Sequence, residues 1–235
     1  MQTLRTVNTI EREIKGLKIS KVMKILFLGD SITAGAGLNT KEEMFTTLVG
    51  KLTNAQIVNY GVGGTRIARN SAPSEDPSYD NDFLRRAEDM DKTADFVFVF
   101  GGTNDYGHGD APIGDVSDET PYTFCGAVNL LSRYLVNNYG KDNVCFILPL
   151  HRRNEDNPFG EGNKKIKSGT LSEYITAEIS VLEKNGVKYL DLRNDFPPEK
   201  LDKLTIDGIH PNAKGHKLIA DRVCEYLNEV SLRLF

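Results

Sequence analysis

Hydrophobic and polar positions along the chain alternate between two kinds of pattern. Short, continuously apolar runs stop at glycine-rich turns, and longer stretches carry apolar residues every three or four positions. Lys24-Ile25-Leu26-Phe27-Leu28-Gly29 is a run of the first kind, and it predicts a strand buried on both faces. Ala55 to Tyr60, Ala94 to Phe100, Val144 to Leu150 and Val187 to Asp191 predict four more strands. Between them, Glu42 to Leu52, Thr120 to Tyr139 and Thr170 to Asn185 read as helices, with Pro121 placed in the first turn of the second. A last helix follows Pro211, where Leu218, Ile219, Val223, Tyr226 and Leu227 recur at helical spacing. Strands alternating with helices of this length predict a mostly parallel sheet covered on both faces.

The first 22 residues stand apart. Leu4, Val7, Ile10, Ile14 and Leu17 fall at steps of three, three, four and three, one stripe at period 3.6. This predicts a helical extension over residues 1–22, with the main domain over 23–235. Such a helix could pack on the domain or on a second copy, giving a homo-oligomer.

Composition narrows the functional classes. The 235 residues are 39% hydrophobic and 26% charged, with net charge −4 and no block of like charges. Nucleic acid and anionic membranes both reward a concentrated basic face, so neither is an expected partner. The three cysteines, Cys125, Cys145 and Cys224, lack metal-ligand spacing and are odd in number, which argues against a disulfide framework. Cys145, inside an apolar run, reads as a small buried hydrophobe. No apolar stretch is long enough for a membrane helix, and Glu11, Arg12, Glu13 and Lys15 sit where a secretory signal would be apolar. The expected compartment is the cytoplasm.

In open α/β sheets ligands bind beyond the carboxyl ends of the strands. Chemistry is therefore sought where the apolar runs stop, and four places supply it. Gly29-Asp30-Ser31-Ile32-Thr33 puts a serine on a strand-to-helix turn, where it is either a helix cap or an exposed nucleophile. Asn59-Tyr60-Gly61-Val62-Gly63-Gly64 has three glycines in four positions, able to leave backbone N–H groups uncovered for an oxyanion. Gly101-Gly102-Thr103-Asn104-Asp105 offers a side-chain amide over the sheet edge. Asp207-Gly208-Ile209-His210-Pro211 places a carboxylate three residues from an imidazole, where it can hold Nδ1–H and free Nε2 to take a proton. A metal site would need further ligands near His210, and the nearest histidine, His216, is expected on a helix surface. No metal and no cofactor is expected.

Taken together these segments hold a nucleophile, a base, an orienting acid and at least three oxyanion donors, a full set for acyl transfer. In wording and order they resemble the SGNH, or GDSL, hydrolase family. The match runs through Gly29-Asp30-Ser31, Gly64, Gly102-Thr103-Asn104-Asp105 and Asp207-Gly208-Ile209-His210. Ile32 stands where the family nickname has leucine. The resemblance covers about residues 23 to 230. It implies a flavodoxin-like five-stranded parallel sheet in a three-layer α/β/α sandwich, with Ser31 as nucleophile, His210 as base and Asp207 as its partner. The oxyanion donors it implies are the N–H groups of Ser31 and Gly64 and the side-chain amide of Asn104.

Substrate is less directly written. Asn70 to Asp82 and Asp105 to Glu119 are long polar loops after two of these motifs. The second, with Tyr106 near its start, is expected to form a wall or lid. His151 and Arg152, with Arg153, follow the fourth strand and also reach the active-site edge. Asp30, Tyr106, His151 and Arg152 are accordingly expected to touch substrate, a small-molecule or glycan ester. The polar loops favour acetyl or other short acyl groups over the long chains of a lysophospholipase or thioesterase. A non-catalytic carbohydrate- or nucleotide-binding domain is the alternative from another class, and no Gly-x-Gly-x-x-Gly or Walker-type loop is present to support its nucleotide form.

Overall fold

The computed structural model describes residues 9–14, 17–162, 164–165 and 167–233. Five parallel strands form the sheet: β3 (Lys24–Gly29), β4 (Gln56–Gly61), β5 (Phe96–Phe100), β6 (Val144–Ile147) and β7 (Lys188–Leu190). Their order is β4-β3-β5-β6-β7. Counted within the sheet this is 2-1-3-4-5, the flavodoxin-like order, whose switch point falls between β3 and β5. The three-layer α/β/α sandwich expected from the sequence is the fold.

Strand alternation sends successive side chains to opposite faces, so each all-apolar strand feeds two cores. Leu26, Leu28, Val97, Val99 and Phe146 face one layer, built from α3 (Phe83–Glu88), α5 (Phe124–Tyr139) and α6 (Leu171–Asn185). Ile25, Phe27, Phe96, Phe98, Phe100 and Ile147 face the other, built from α2 (Phe45–Thr53) and α8 (Ala213–Arg233). Phe27 and Phe98 are register partners and stack with ring centroids 5.2 Å apart, while Phe45 meets Phe27 edge-on at 5.3 Å. Each fully buried phenylalanine contributes about 2–3 kcal/mol, so these strands anchor the sheet on which the site is built. Cys145 lies fully buried in this core, as expected, and burial pushes its thiol up to about 12.

Three local expectations are corrected. Residues 9–14 and 17–22 are not helical: β1 (Thr9–Ile14) and β2 (Leu17–Val22) pair antiparallel, from Thr9↔Val22 to Ile14↔Leu17. Ile10, Ile14, Ile19 and Val22 are β-branched, and Leu17-Lys18-Ile19-Ser20 alternates with period two, a pattern that competes with the 3.6 stripe. The rest of the predicted extension, residues 1–8 and 15–16, lies outside the described residues. Helix α5 starts at Phe124, not near Pro121, because the Thr123 side chain accepts the Gly126 N–H and caps it there. His216 is fully buried, not on a helix surface, and its Nδ1 accepts the Phe45 N–H at 3.1 Å. Among the described residues no helix is long and apolar enough to cross a membrane.

The buried His216 carries a pH signature. Burial holds it down to about 4, against an ordinary value of 6.5. As pH falls below 6.5 the unfolded chain takes a proton on this ring and the folded chain does not. The stability it contributes is therefore complete above pH 6.5 and lost by about pH 4, on the order of 3 kcal/mol. Asp30, which burial raises to about 6 from 3.8, works in the opposite sense over pH 4 to 6. Denaturant unfolding at several pH values should show a stability loss between pH 7 and pH 4 that is smaller in His216→Asn. Equal slopes in the two proteins would contradict this account.

Candidate active site

Ser31 follows the end of β3 and opens α1 (Ser31–Ala34). The turn is tight: the Asp30 carboxylate accepts the Ile32 N–H at 2.9 Å and caps the short helix. The capping role thus falls to Asp30, and Ser31 is left with its hydroxyl toward the carboxyl edge, 9% exposed.

Its partner arrives from the far end of the chain. His210 Nε2 lies 2.9 Å from Ser31 Oγ, and His210 Nδ1 lies 2.7 Å from Asp207 Oδ2. The other Asp207 oxygen accepts the backbone N–H groups of Ile209 (2.9 Å) and His210 (2.8 Å). Burial pushes the Asp207 carboxyl up, but these hydrogen bonds and the imidazole outweigh it and hold the group at about 2. An ionised carboxylate can only accept, so Nδ1 carries the ring proton. Nε2 is then a lone pair, and the Ser31 hydroxyl donates to it. The loop is braced from outside by the Arg153 N–H, which donates to the Gly208 carbonyl at 2.8 Å, and by the Arg153 side chain packed on Gly208.

The glycine turn expected to supply an oxyanion donor runs beside Ser31. A Cβ on Gly63 would sit 3.8 Å from Ser31 Cβ, so the glycine turn after β4 passes directly by the nucleophile. Asn104 is on the first turn of α4 (Thr103–His108), and its amide donates to the Thr65 carbonyl at 2.9 Å. One amide proton is thereby used to hold the turn, and the second has no acceptor among the described residues. Neither the Ser31 nor the Gly64 N–H has an acceptor among the described residues. Gly64 has φ +73, conformationally easy only for glycine.

Two residues to which the sequence assigned no role, Arg86 and Asp105, fix this arrangement. The buried Arg86 guanidinium donates to the Gly29 carbonyl (3.1 Å), the Tyr60 carbonyl (2.5 Å) and Thr65 Oγ1 (2.8 Å). It thus ties the end of β3, the end of β4 and the oxyanion turn to one rigid fork, and desolvation lowers it to about 10. Asp105, also buried, accepts the N–H groups of Ile67 (3.0 Å) and Ala68 (2.8 Å) and holds the next stretch of that turn. Burial raises its carboxyl above the usual range despite these bonds. Arg86 gives no local signal, since α3 itself was not visible as an amphipathic helix.

The four residues expected to touch substrate are placed less favourably. Asp30 is 1% exposed and spent on its cap. Tyr106 is fully buried, its hydroxyl donating to the carbonyls of Asn154 and Asn157. Arg152 turns inward to the Thr103 carbonyl and hydroxyl (3.0 Å each) and to Glu161 (2.6 Å). His151 is half-buried, with Nδ1 on the Glu155 carboxylate at 2.8 Å. Among these four only His151 retains access to solvent. The loops expected to cover the site are laced together: Asp110 accepts the N–H groups of Ser71 and Ala72, and the Glu161 N–H donates to the Gly107 carbonyl. Among the described residues no group of three or more His, Cys, Asp or Glu side chains is placed to hold a metal ion.

A chain of hydrogen bonds from Ser31 through His210 to Asp207 stands at the carboxyl edge of the parallel sheet, and the family match places the protein among the carboxylic ester hydrolases. The chain belongs to the GDSL-like lipase/acylhydrolase family, whose model matches residues 27–218. Among solved structures it is similar to a protein from Lactobacillus plantarum, with 29% identity and TM-score 0.74 over 88% of this chain and 97% of that one. It is also similar in fold to a protein described as a possible lipase from Chitinophaga pinensis, at 19% identity and TM-score 0.66, covering 89% and 99%. An acetyl xylan esterase shares the fold at 24% identity and TM-score 0.59, covering 87% and 99%. Comparison with curated proteins gives no match.

Proposed function

We propose that the protein is a serine esterase that removes short acyl groups, above all acetyl, from carbohydrate esters through Ser31, His210 and Asp207. The observation that carries the reading is the relay itself, 2.9 Å from Ser31 Oγ to His210 Nε2 and 2.7 Å from His210 Nδ1 to Asp207. Ser31 Oγ forms a bond to the ester carbonyl carbon while its proton passes to Nε2. Negative charge develops on the carbonyl oxygen and is met by the N–H groups of Ser31 and Gly64 and the free amide proton of Asn104. The carbon–oxygen bond to the alcohol then breaks, and His210 gives its proton to that alcohol. Water attacks the acyl-serine by the same route in reverse order of proton transfer, releasing the acid and restoring Ser31.

The short-chain part of the proposal is supported by what surrounds the site. Among the described residues only six large apolar side chains are exposed (Val22, Leu52, Tyr79, Tyr122, Phe159, Ile206), whereas a long acyl chain needs a contiguous apolar surface. The carbohydrate part is supported by polar groups on the loop after β6, where His151, Glu155 and Arg153 retain exposure. Turnover of p-nitrophenyl esters from C2 to C12, together with acetate release from acetylated oligosaccharides, tests both parts. The account expects kcat/KM to be highest at C2 to C4 and acetate to be released. A preference for C8 or longer contradicts the acyl assignment, and absence of acetate release contradicts the carbohydrate assignment.

A further inference from the structure

One partly exposed aromatic ring stands beside the oxyanion turn. A Cβ on Gly64 would lie 2.2, 2.4 and 2.6 Å from three ring atoms of Tyr79, so the ring rests on the Gly64 Cα. It is nevertheless 37% exposed. This is a placed side chain. The buried Arg66 guanidinium donates to the Tyr79 carbonyl (3.0 Å), to Ser74 Oγ (2.9 Å) and to Asp80 (3.1 Å), pinning the segment on both sides of the ring. Arg66 also meets His108 Nδ1 at 3.1 Å, and the His108 ring lies 5.8 Å from that of Tyr79. Burial and the neighbouring guanidinium hold His108 at about 4, so at neutral pH the wall is uncharged.

We propose that Tyr79, backed by His108, walls the acyl side of the site and limits the length of the acyl chain it accepts. The inference rests on the ester-hydrolase reading of Ser31 and deepens it. The reacting carbon carries four groups in the transition state: Ser31 Oγ, the oxyanion, the alcohol oxygen and the acyl chain. The alcohol oxygen must face His210, which protonates it. His210 lies on the loop that leads into α8, the helix that packs with α2 on one face of the sheet. The segment bearing Tyr79 runs between Ile67–Ala68 and Phe83, which pack with α5 and α6 in the opposite layer. Ser31 sits at the sheet edge between the two layers. The oxyanion takes the donors and the alcohol takes the His210 side, which leaves the acyl chain the side where Tyr79 stands.

Chain-length profiles of Tyr79 variants test this. kcat/KM is measured for p-nitrophenyl acetate, butyrate and octanoate in the wild type, Tyr79→Phe, Tyr79→Ala and Tyr79→Trp. Opening the wall in Tyr79→Ala should raise the octanoate-to-acetate ratio by about tenfold or more, the scale on which methylene-sized fit is discriminated. Tyr79→Phe should keep the wild-type ratio, and Tyr79→Trp should lower the butyrate-to-acetate ratio. A parallel series of acetate esters with different alcohols should show no comparable shift. Unchanged chain-length ratios in both the Ala and Trp variants, or a shift that follows the alcohol, would overturn the proposal while leaving Ser31 hydrolysis intact. A wild type that turns over none of the esters would overturn the reading of the site and the wall with it.

Discussion

Replacing Ser31 with alanine is expected to lower kcat for p-nitrophenyl acetate by about 10⁴-fold or more, with His210→Ala costing about as much. The two groups act on one proton in one step, since Ser31 Oγ and His210 Nε2 are 2.9 Å apart. Removing either therefore removes the same event. The double variant should be little worse than each single one, because residues that act as a unit are strongly non-additive. Multiplicative losses would show instead that Ser31 and His210 work independently, and the relay would lose its meaning.

The second large effect belongs to Asn104. Its amide proton not engaged by the Thr65 carbonyl is the only side-chain donor in the proposed oxyanion hole. Asn104→Ala should lower kcat by about 10²–10³-fold, the usual cost of one lost oxyanion donor. The bond to Thr65 is lost as well, which costs about 1 kcal/mol of stability and is read separately by denaturant unfolding. Asn104→Asp keeps the shape but replaces the donor by an acceptor, so it should lose at least as much activity. A change confined to KM, with kcat intact, would assign Asn104 to substrate binding alone.

Much of this site was legible because its parts stop at strand ends. Lys24–Gly29 and Phe96–Phe100 are apolar on both faces, and such strands can sit only in the middle of a covered sheet. The residues just past them then fall on the carboxyl edge together. Ser31, Gly64 and Asn104 follow that logic, while Asp207 and His210 come from the loop before α8, well past the last strand. What stayed hidden depends on contacts between distant residues. Arg152 reads as a surface cation next to Arg153, and only the fold brings Thr103, 49 positions away, into reach of its guanidinium. Tyr106 is turned inward by carbonyls 48 and 51 positions away. Helix α4 is written in Thr, Asn, Asp, Tyr, Gly and His, poor helix formers that read as a loop. His216 is polar but faces α2, where the Phe45 N–H needs an acceptor. At the N-terminus two periodicities overlap in the same residues, and the hairpin β1–β2 won over the helix.

The central claim is that Ser31 is the nucleophile of an ester hydrolase. The most direct test is the intact mass of the protein after reaction with a fluorophosphonate, with the adduct located by peptide mapping. The account predicts one adduct per chain, on Ser31, absent from Ser31→Ala and strongly slowed in His210→Ala. An adduct on another residue, or none while ester turnover persists, would contradict it.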